Sequence, residues 1–145
     1  MTPSYTEILT QTVTTLPIHV SLGLSLISQA ASPQPTALLT FTSAPIHLTN
    51  AQTVHGGIST LLIDAACYSA LIPTLSEGQT AATVASSFQM LDAVPGEGKI
   101  YEIEGRVVRR GKSIAFCEGE VRCEGKVIAR GSLTKVIKEG RASRL

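Results

Sequence analysis

Hydrophobic positions recur with two different periods along the chain, and the change comes near its middle. In the first half, Ile8, Leu9, Val13 and Leu16 are spaced as one face of a helix over Tyr5 to Leu16, which Pro17 closes. Leu22 to Ser28 and Thr36 to Ala44 are strand-like runs separated by the turn-forming Ala31-Ser32-Pro33-Gln34-Pro35, so they read as an antiparallel pair. Ala44 to His55 is rich in Pro, Thr, Asn and Gln without a period and reads as a loop. It leads into a helix from about Gly56 to Leu71 that stops at Pro73. Beyond it, period two holds through four segments, Gln79 to Leu91, Lys99 to Arg110, Ser113 to Cys123 and Lys126 to Lys138. The turns Pro95-Gly96-Glu97-Gly98, Arg110-Gly111-Lys112 and Glu124-Gly125 supply glycine where positive φ is needed. Such short connections predict a meander with sequential pairing.

The central helix is apolar almost all round, and a helix of that kind must be buried on every side. A strongly curved antiparallel sheet covers one side, and a second copy of the chain most simply covers the rest. The expected architecture is therefore α+β. About six strands wrap one long central helix, preceded by a short N-terminal helix, in a protein that dimerises. The 145 residues make one domain with no internal repeat.

Composition narrows the functional classes. The formal charge is +1 and only 16% of residues are charged, which argues against a disordered tail or a nucleic-acid surface with many phosphate contacts. Apolar runs are short and interrupted, and the first residues lack the basic segment and apolar block of a secretory signal, so a soluble cytoplasmic protein with no membrane partner is expected. Cys67, Cys117 and Cys123 are an odd set without metal-ligand spacing. The last two lie roughly 20 Å apart if they share one extended strand. Free buried thiols, with no metal and no cofactor, are the expectation.

One residue breaks the apolar pattern of the central helix. Asp64 stands in His55-Gly56-Gly57-Ile58-Ser59-Thr60-Leu61-Leu62-Ile63-Asp64-Ala65-Ala66-Cys67-Tyr68, among neighbours that leave it little water. Burying an unpaired carboxylate costs several kcal/mol or more, so such a residue points to chemistry. The preceding glycines let a ligand approach the exposed N–H groups of the first helical turn, where the helix dipole favours negative charge. Gly57 and Asp64 are seven residues apart and thus displaced by roughly 10 Å along the axis. One helix cannot bring both to one carbonyl, whereas two antiparallel helices from two subunits can, with two sites per dimer. The alternative is that Asp64 braces the structure by a hydrogen bond to a backbone N–H or a strand hydroxyl.

Asn50, His55-Gly56-Gly57 and Asp64, in a helix followed by strands, resemble the motif of the PaaI-like (phenylacetic-acid-degradation type) branch of hotdog thioesterases. The resemblance extends over nearly the whole chain, since Thr83, Gly96-Glu97-Gly98 and Arg109-Arg110-Gly111-Lys112 fall where that family places its site strand, loop and ligand-edge hairpin. It implies a hotdog fold and hydrolysis of an acyl thioester carried by coenzyme A or an acyl carrier protein. It assigns Asp64 the role of general base or nucleophile and the Gly57 N–H that of oxyanion donor. Asn50 would orient the carbonyl or the water, and Thr83 would hold the water or the acid. Simple alternation places Thr83 on the same face as Ala85 and Ser87, opposite Val84. His55 and Gly56 would shape the substrate-binding turn, with the His55 ring bonded to loop carbonyls. Arg110 and Lys112 are the candidate contacts to coenzyme A phosphates, which guanidinium groups bind through paired hydrogen bonds. His19 and His47 read as ordinary loop or strand-edge residues.

Two other functions remain compatible with the same fold. A 3-hydroxyacyl-thioester dehydratase needs a catalytic histidine paired with an acid across the interface. A non-catalytic acyl-binding or assembly subunit would use Asp64 only as a brace. The small residues Ala65, Ala66, Ser69 and Ala70 leave room beside the helix for an acyl group without specifying it. A further pairing of dimers into a tetramer is compatible with the pattern.

Overall fold

The computed structural model describes residues 1–140. Helix α1 (Tyr5–Thr15) begins at a capping box: the Ser4 hydroxyl accepts from the Glu7 N–H at 3.3 Å, and the Glu7 carboxylate accepts from the Ser4 N–H at 2.7 Å. Pro17 does end this helix, but it also opens a short second one, α2 (Pro17–Ser21), because the first helical position needs no N–H donor. Strands β1 (Ser25–Ala30) and β2 (Thr36–Thr42) form the expected antiparallel pair. The central helix α3 spans Gly56–Leu71 and tightens into a 3-10 turn over Ile72–Thr74, which accommodates Pro73. Strands β3 (Gln79–Met90), β4 (Ile100–Arg110), β5 (Ile114–Cys123) and β6 (Lys126–Glu139) complete a six-stranded antiparallel sheet wrapped on α3.

The strand order is β1-β2-β4-β5-β6-β3, so among the last four strands only β4, β5 and β6 pair in sequence. The predicted four-strand meander fails at its first turn. Strand β3 pairs with β6 at the far edge, while β4 pairs with β2. The segment between β3 and β4 is a crossover, tied down where it passes other loops: Gly96 N–H donates to Gln52 O at 2.8 Å and Gly98 N–H to Ser43 O at 2.7 Å. Period two reports which face a residue occupies, and it carries no information about which strand lies alongside. Gly96, Gly98 and Gly125 adopt positive φ as expected. Gly111 does not; its missing Cβ is needed because one there would stand 2.9 Å from the Ile114 carbonyl oxygen.

How closely the helix lies on the sheet depends on a row of three glycines. Gly105, Gly119 and Gly131 are register partners on β4, β5 and β6, and all three are buried on the face that meets α3. A Cβ on Gly105 would sit 2.3 Å from the backbone carbonyl of Ala66. Gly119 and Gly131 instead face side chains, those of Ile63 and Phe88.

By length and composition Gly56–Thr74 could cross a membrane, but here Leu62, Ile63, Ala66 and Ala70 lie against the sheet in the core. The sheet does not surround α3. Gly57, Thr60, Leu61, Asp64 and Tyr68 keep some exposure and, at helical spacing, form one stripe on the side turned away from it. That stripe is the part of the helix that the described residues of one chain leave uncovered.

The three tyrosines make an internal test of this packing. Burial is the main cause raising all three phenols, pushing Tyr101 from 10.0 up to about 12. Tyr101 donates to Val94 O at 3.2 Å, and Tyr5 donates to Gln79 O at 2.6 Å. A phenol whose pKa is higher folded than unfolded supports folding below its unfolded value, and that support is lost as pH rises toward the folded one. Alkaline absorbance titration is expected to place the midpoints of all three phenols above 10.0, the ordinary value, with Tyr101 requiring about 12. A simple titration of all three phenols at the ordinary midpoint would contradict this packing.

Candidate active site

Asp64 lies on the open stripe of α3, and its side chain is 48% exposed in the single chain. Within one chain the sheet covers only the opposite side of the helix, so Asp64 is open to whatever meets that stripe. Thr83 on β3 donates to Asp64 Oδ1 at 2.5 Å. A β-bulge between Thr83 and Ala85 puts Thr83 there. Before the bulge Ala81 and Thr83 match the helix-facing Ile137 and Lys135 of β6, and after it Ser86 and Phe88 match Leu133 and Gly131. Simple alternation grouped Thr83 with Ala85 and Ser87, and the extra residue breaks that alternation.

A third member of the cluster was not anticipated. Lys135 on β6 is the register partner of Thr83 and only 2% exposed. Its Nζ donates to Asp64 Oδ1 at 3.0 Å and to Thr83 Oγ1 at 2.7 Å, and it lies 5.7 Å from the centroid of the Tyr68 ring. The signal was present in the sequence: Leu133, Lys135 and Ile137 share one parity of a period-two strand, so a lysine occupied a position whose neighbours on that face are apolar. Buried lysines are rare unless paired.

The other candidate residues stand apart from this cluster. His55 is the N-cap of α3, and its ring does not bond loop carbonyls; Nδ1 accepts from the Gly57 N–H at 2.9 Å. That bond occupies the donor suggested for an oxyanion. His55 is exposed, so the ring can turn away without disturbing the core. Gly56 lies against Met90, and Asn50 is exposed in the loop before α3. The Gly96–Gly98 crossover is bonded to both ends of that loop's surroundings, at Ser43 and Gln52, and so steadies the segment carrying Asn50.

Arg110 is engaged by the protein itself. Its guanidinium donates to Thr74 Oγ1 at 3.2 Å, to Gln79 Oε1 at 3.1 Å, and to the carbonyls of Gly111 and Lys112, clamping the β4–β5 hairpin onto the end of α3 and the start of β3. Lys112 is exposed at the hairpin tip. His19 and His47 are buried rather than at loop or strand edges: His19 Nδ1 lies 2.6 Å from Val13 O, and His47 Nδ1 accepts from the Ala44 N–H at 2.9 Å. The cysteines are all free and buried, and among the described residues no three His, Cys, Asp or Glu side chains cluster as a metal site. A hollow of about 660 Å³ opens on the sheet face turned away from α3, lined by Arg106, Glu118, Glu120, Arg122 and Arg130. None of Asp64, Thr83 and Lys135 lines it.

A long apolar helix carrying one acid, wrapped by a six-stranded antiparallel sheet of this order, is the hotdog fold. The family model of the thioesterase superfamily matches residues 51–129, and the chain belongs to that superfamily. Solved structures agree on the fold. A phenylacetic acid degradation-related protein of Ralstonia eutropha JMP134 superposes with TM-score 0.81 at 19% identity, over 92% of this chain and 99% of that one. A thioesterase family protein of Silicibacter pomeroyi gives 0.83 at 18% identity, over 94% and 100%. The PaaI protein of the E. coli phenylacetic acid degradation operon gives 0.76 at 21% identity, over 91% and 97%. The fold is thus that of PaaI-like hotdog thioesterases. No curated protein matches the chain by sequence.

Proposed function

We propose that this protein hydrolyses acyl thioesters of coenzyme A or an acyl carrier protein to the free acid and thiol, with Asp64 as general base or nucleophile. One observation carries the reading. Among the described residues both side-chain hydrogen bonds to the Asp64 carboxylate fall on Oδ1, from Thr83 and Lys135, which leaves Oδ2 to meet a water or an acyl carbon. The Gly57 N–H of a second copy would polarise the thioester carbonyl once its His55 cap turns aside, and an oxyanion donor of this kind is typically worth about 3–4 kcal/mol of barrier. Asn50 would orient the carbonyl or water. His55 and Gly56 would border the acyl thioester at the helix start, and Lys112 is better placed than the engaged Arg110 to reach a phosphate.

The second copy is part of the reading. Among the described residues strand β3 has a neighbour on one side only, and Thr83 to Ser87 are exposed, leaving a long edge able to pair with another strand. It lies beside Asp64, so a homodimer joined there would bring two α3 helices and two sites to one interface, and a dimer of dimers would leave those sites unchanged. The free thiols fit a reducing, cytoplasmic setting.

The competing reading is a non-catalytic acyl-binding subunit, favoured by the ion pair itself, since a brace would also join Asp64 to Lys135. A dehydratase fits less well, because the acid held by Thr83 and Lys135 is Asp64, and His55 is the N-cap of α3, followed directly by two glycines as in the thioesterase arrangement. Thiol release from acetyl-, hexanoyl-, palmitoyl- and benzoyl-CoA, and from the matching acyl carrier proteins, separates these. Hydrolysis of at least one is expected. Binding of the acyl thioesters without thiol release from any of them would sink the hydrolase reading.

A further inference from the structure

Lys135 is in an unusual place for a cation. The helix-facing side of β6 is otherwise Ala129, Gly131, Leu133 and Ile137, and a well-packed apolar side chain there would serve stability at least as well as a buried lysine paired with a half-exposed acid. The hydrogen bonds around it have a forced direction. An ammonium group only donates, so Thr83 Oγ1 accepts from Lys135 and turns its single proton toward Asp64 Oδ1. Oδ1 therefore receives two donors, one direct and one relayed, while the ring of Tyr68 covers the ammonium at 5.7 Å. A carboxylate held at one oxygen by donors from two adjacent strands cannot rotate freely about its Cβ–Cγ bond.

We propose that Lys135 is a positioning residue for the thioesterase reaction: together with Thr83 it pins Asp64 through Oδ1 and so presents Oδ2, in a fixed orientation, to the reacting carbonyl or water. This rests on the reading of Asp64 as base or nucleophile. It assigns Thr83 a definite part as well, as a relay that accepts from Lys135 and donates to Asp64. The ion pair then serves orientation, and its effect belongs in turnover more than in substrate affinity.

The test compares wild type, Lys135→Met, Lys135→Arg and Asp64→Asn on whichever of the four acyl-CoA thioesters the wild type hydrolyses fastest. Misplacing a catalytic group by about 1 Å can cost on the order of 100-fold in rate. Lys135→Met is thus expected to lower kcat by about 10- to 100-fold with KM changed by less than about threefold. Lys135→Arg, which restores a donor cation, is expected to recover part of kcat. Melting curves show whether the protein remains folded at the assay temperature; if the methionine variant does not, Lys135→Gln is read in its place. A folded variant with wild-type kcat, or a loss that merely follows the unfolded fraction, overturns the proposal. Activity in wild type, its loss in Asp64→Asn and its retention in Lys135→Met would reject Lys135 while keeping Asp64. An inactive wild type would reject both.

Discussion

Replacing Asp64 with Asn is expected to leave the protein folded while lowering thioester hydrolysis by about 100- to 10,000-fold, the range associated with removing a positioned general base. The amide keeps the shape of the carboxylate, and its Oδ1 can still accept from Thr83 and Lys135, so the cluster loses charge without losing its hydrogen-bond pattern. Hydrogen bonds to a charged group contribute about 1.5–3 kcal/mol each, and exposure of Asp64 to water reduces the part at stake here. A modest fall in melting temperature is therefore compatible with a near-complete loss of rate. Steady-state thiol release and a melting curve on the same preparation are sufficient. A folded Asp64→Asn protein with wild-type kcat/KM would remove Asp64 from the reaction and leave the brace. Asp64→Ala is the less informative variant, because it strands the buried Lys135 ammonium without an acceptor anion and destabilises the protein whatever Asp64 does in catalysis.

The contrast between Asp64 and Lys135 shows what periodicity can reveal. Asp64 was conspicuous as the lone acid in an apolar helix, and α3 has the bounds its glycines and Pro73 indicated. Lys135 carried a signal of the same kind, a charge on the inward parity of a strand. The strand's own pattern does not name its partner, and only the pairing of β6 with β3 shows which acid lies opposite. That pairing is non-local and leaves no trace in either strand's own pattern, which is also why β3 was assigned the wrong neighbour. The face occupied by Thr83 depended on one extra residue in a bulge, a local departure that an alternating pattern cannot register. The motif at the helix start was legible, but the His55 to Gly57 hydrogen bond required knowing the ring's orientation.

The glycine row carries the largest expected effect on stability. Gly105→Ala would place a methyl group 2.3 Å from both the carbonyl carbon and oxygen of Ala66 and 2.6 Å from the Cys67 nitrogen. These are backbone atoms in the middle of α3, so no rotamer change relieves the clash, and helix and sheet must move apart. Overpacking commonly costs 1–3 kcal/mol and occasionally more; a clash with backbone belongs at the upper end, so about 3–5 kcal/mol is expected. For a chain of this size, that corresponds to a melting temperature lowered by roughly 10–15 °C. Gly131→Ala meets the Phe88 ring at 2.5 Å, a side chain only part-buried beside the sheet edge and able to swing aside, so its loss should be smaller. Thermal unfolding of the two variants side by side tests the ordering. If Gly105→Ala were the milder, the close approach of α3 to β4 would be incorrect, and with it the placement of Asp64 relative to β3 and β6, since the same helix carries that carboxylate from the glycine row to Thr83 and Lys135.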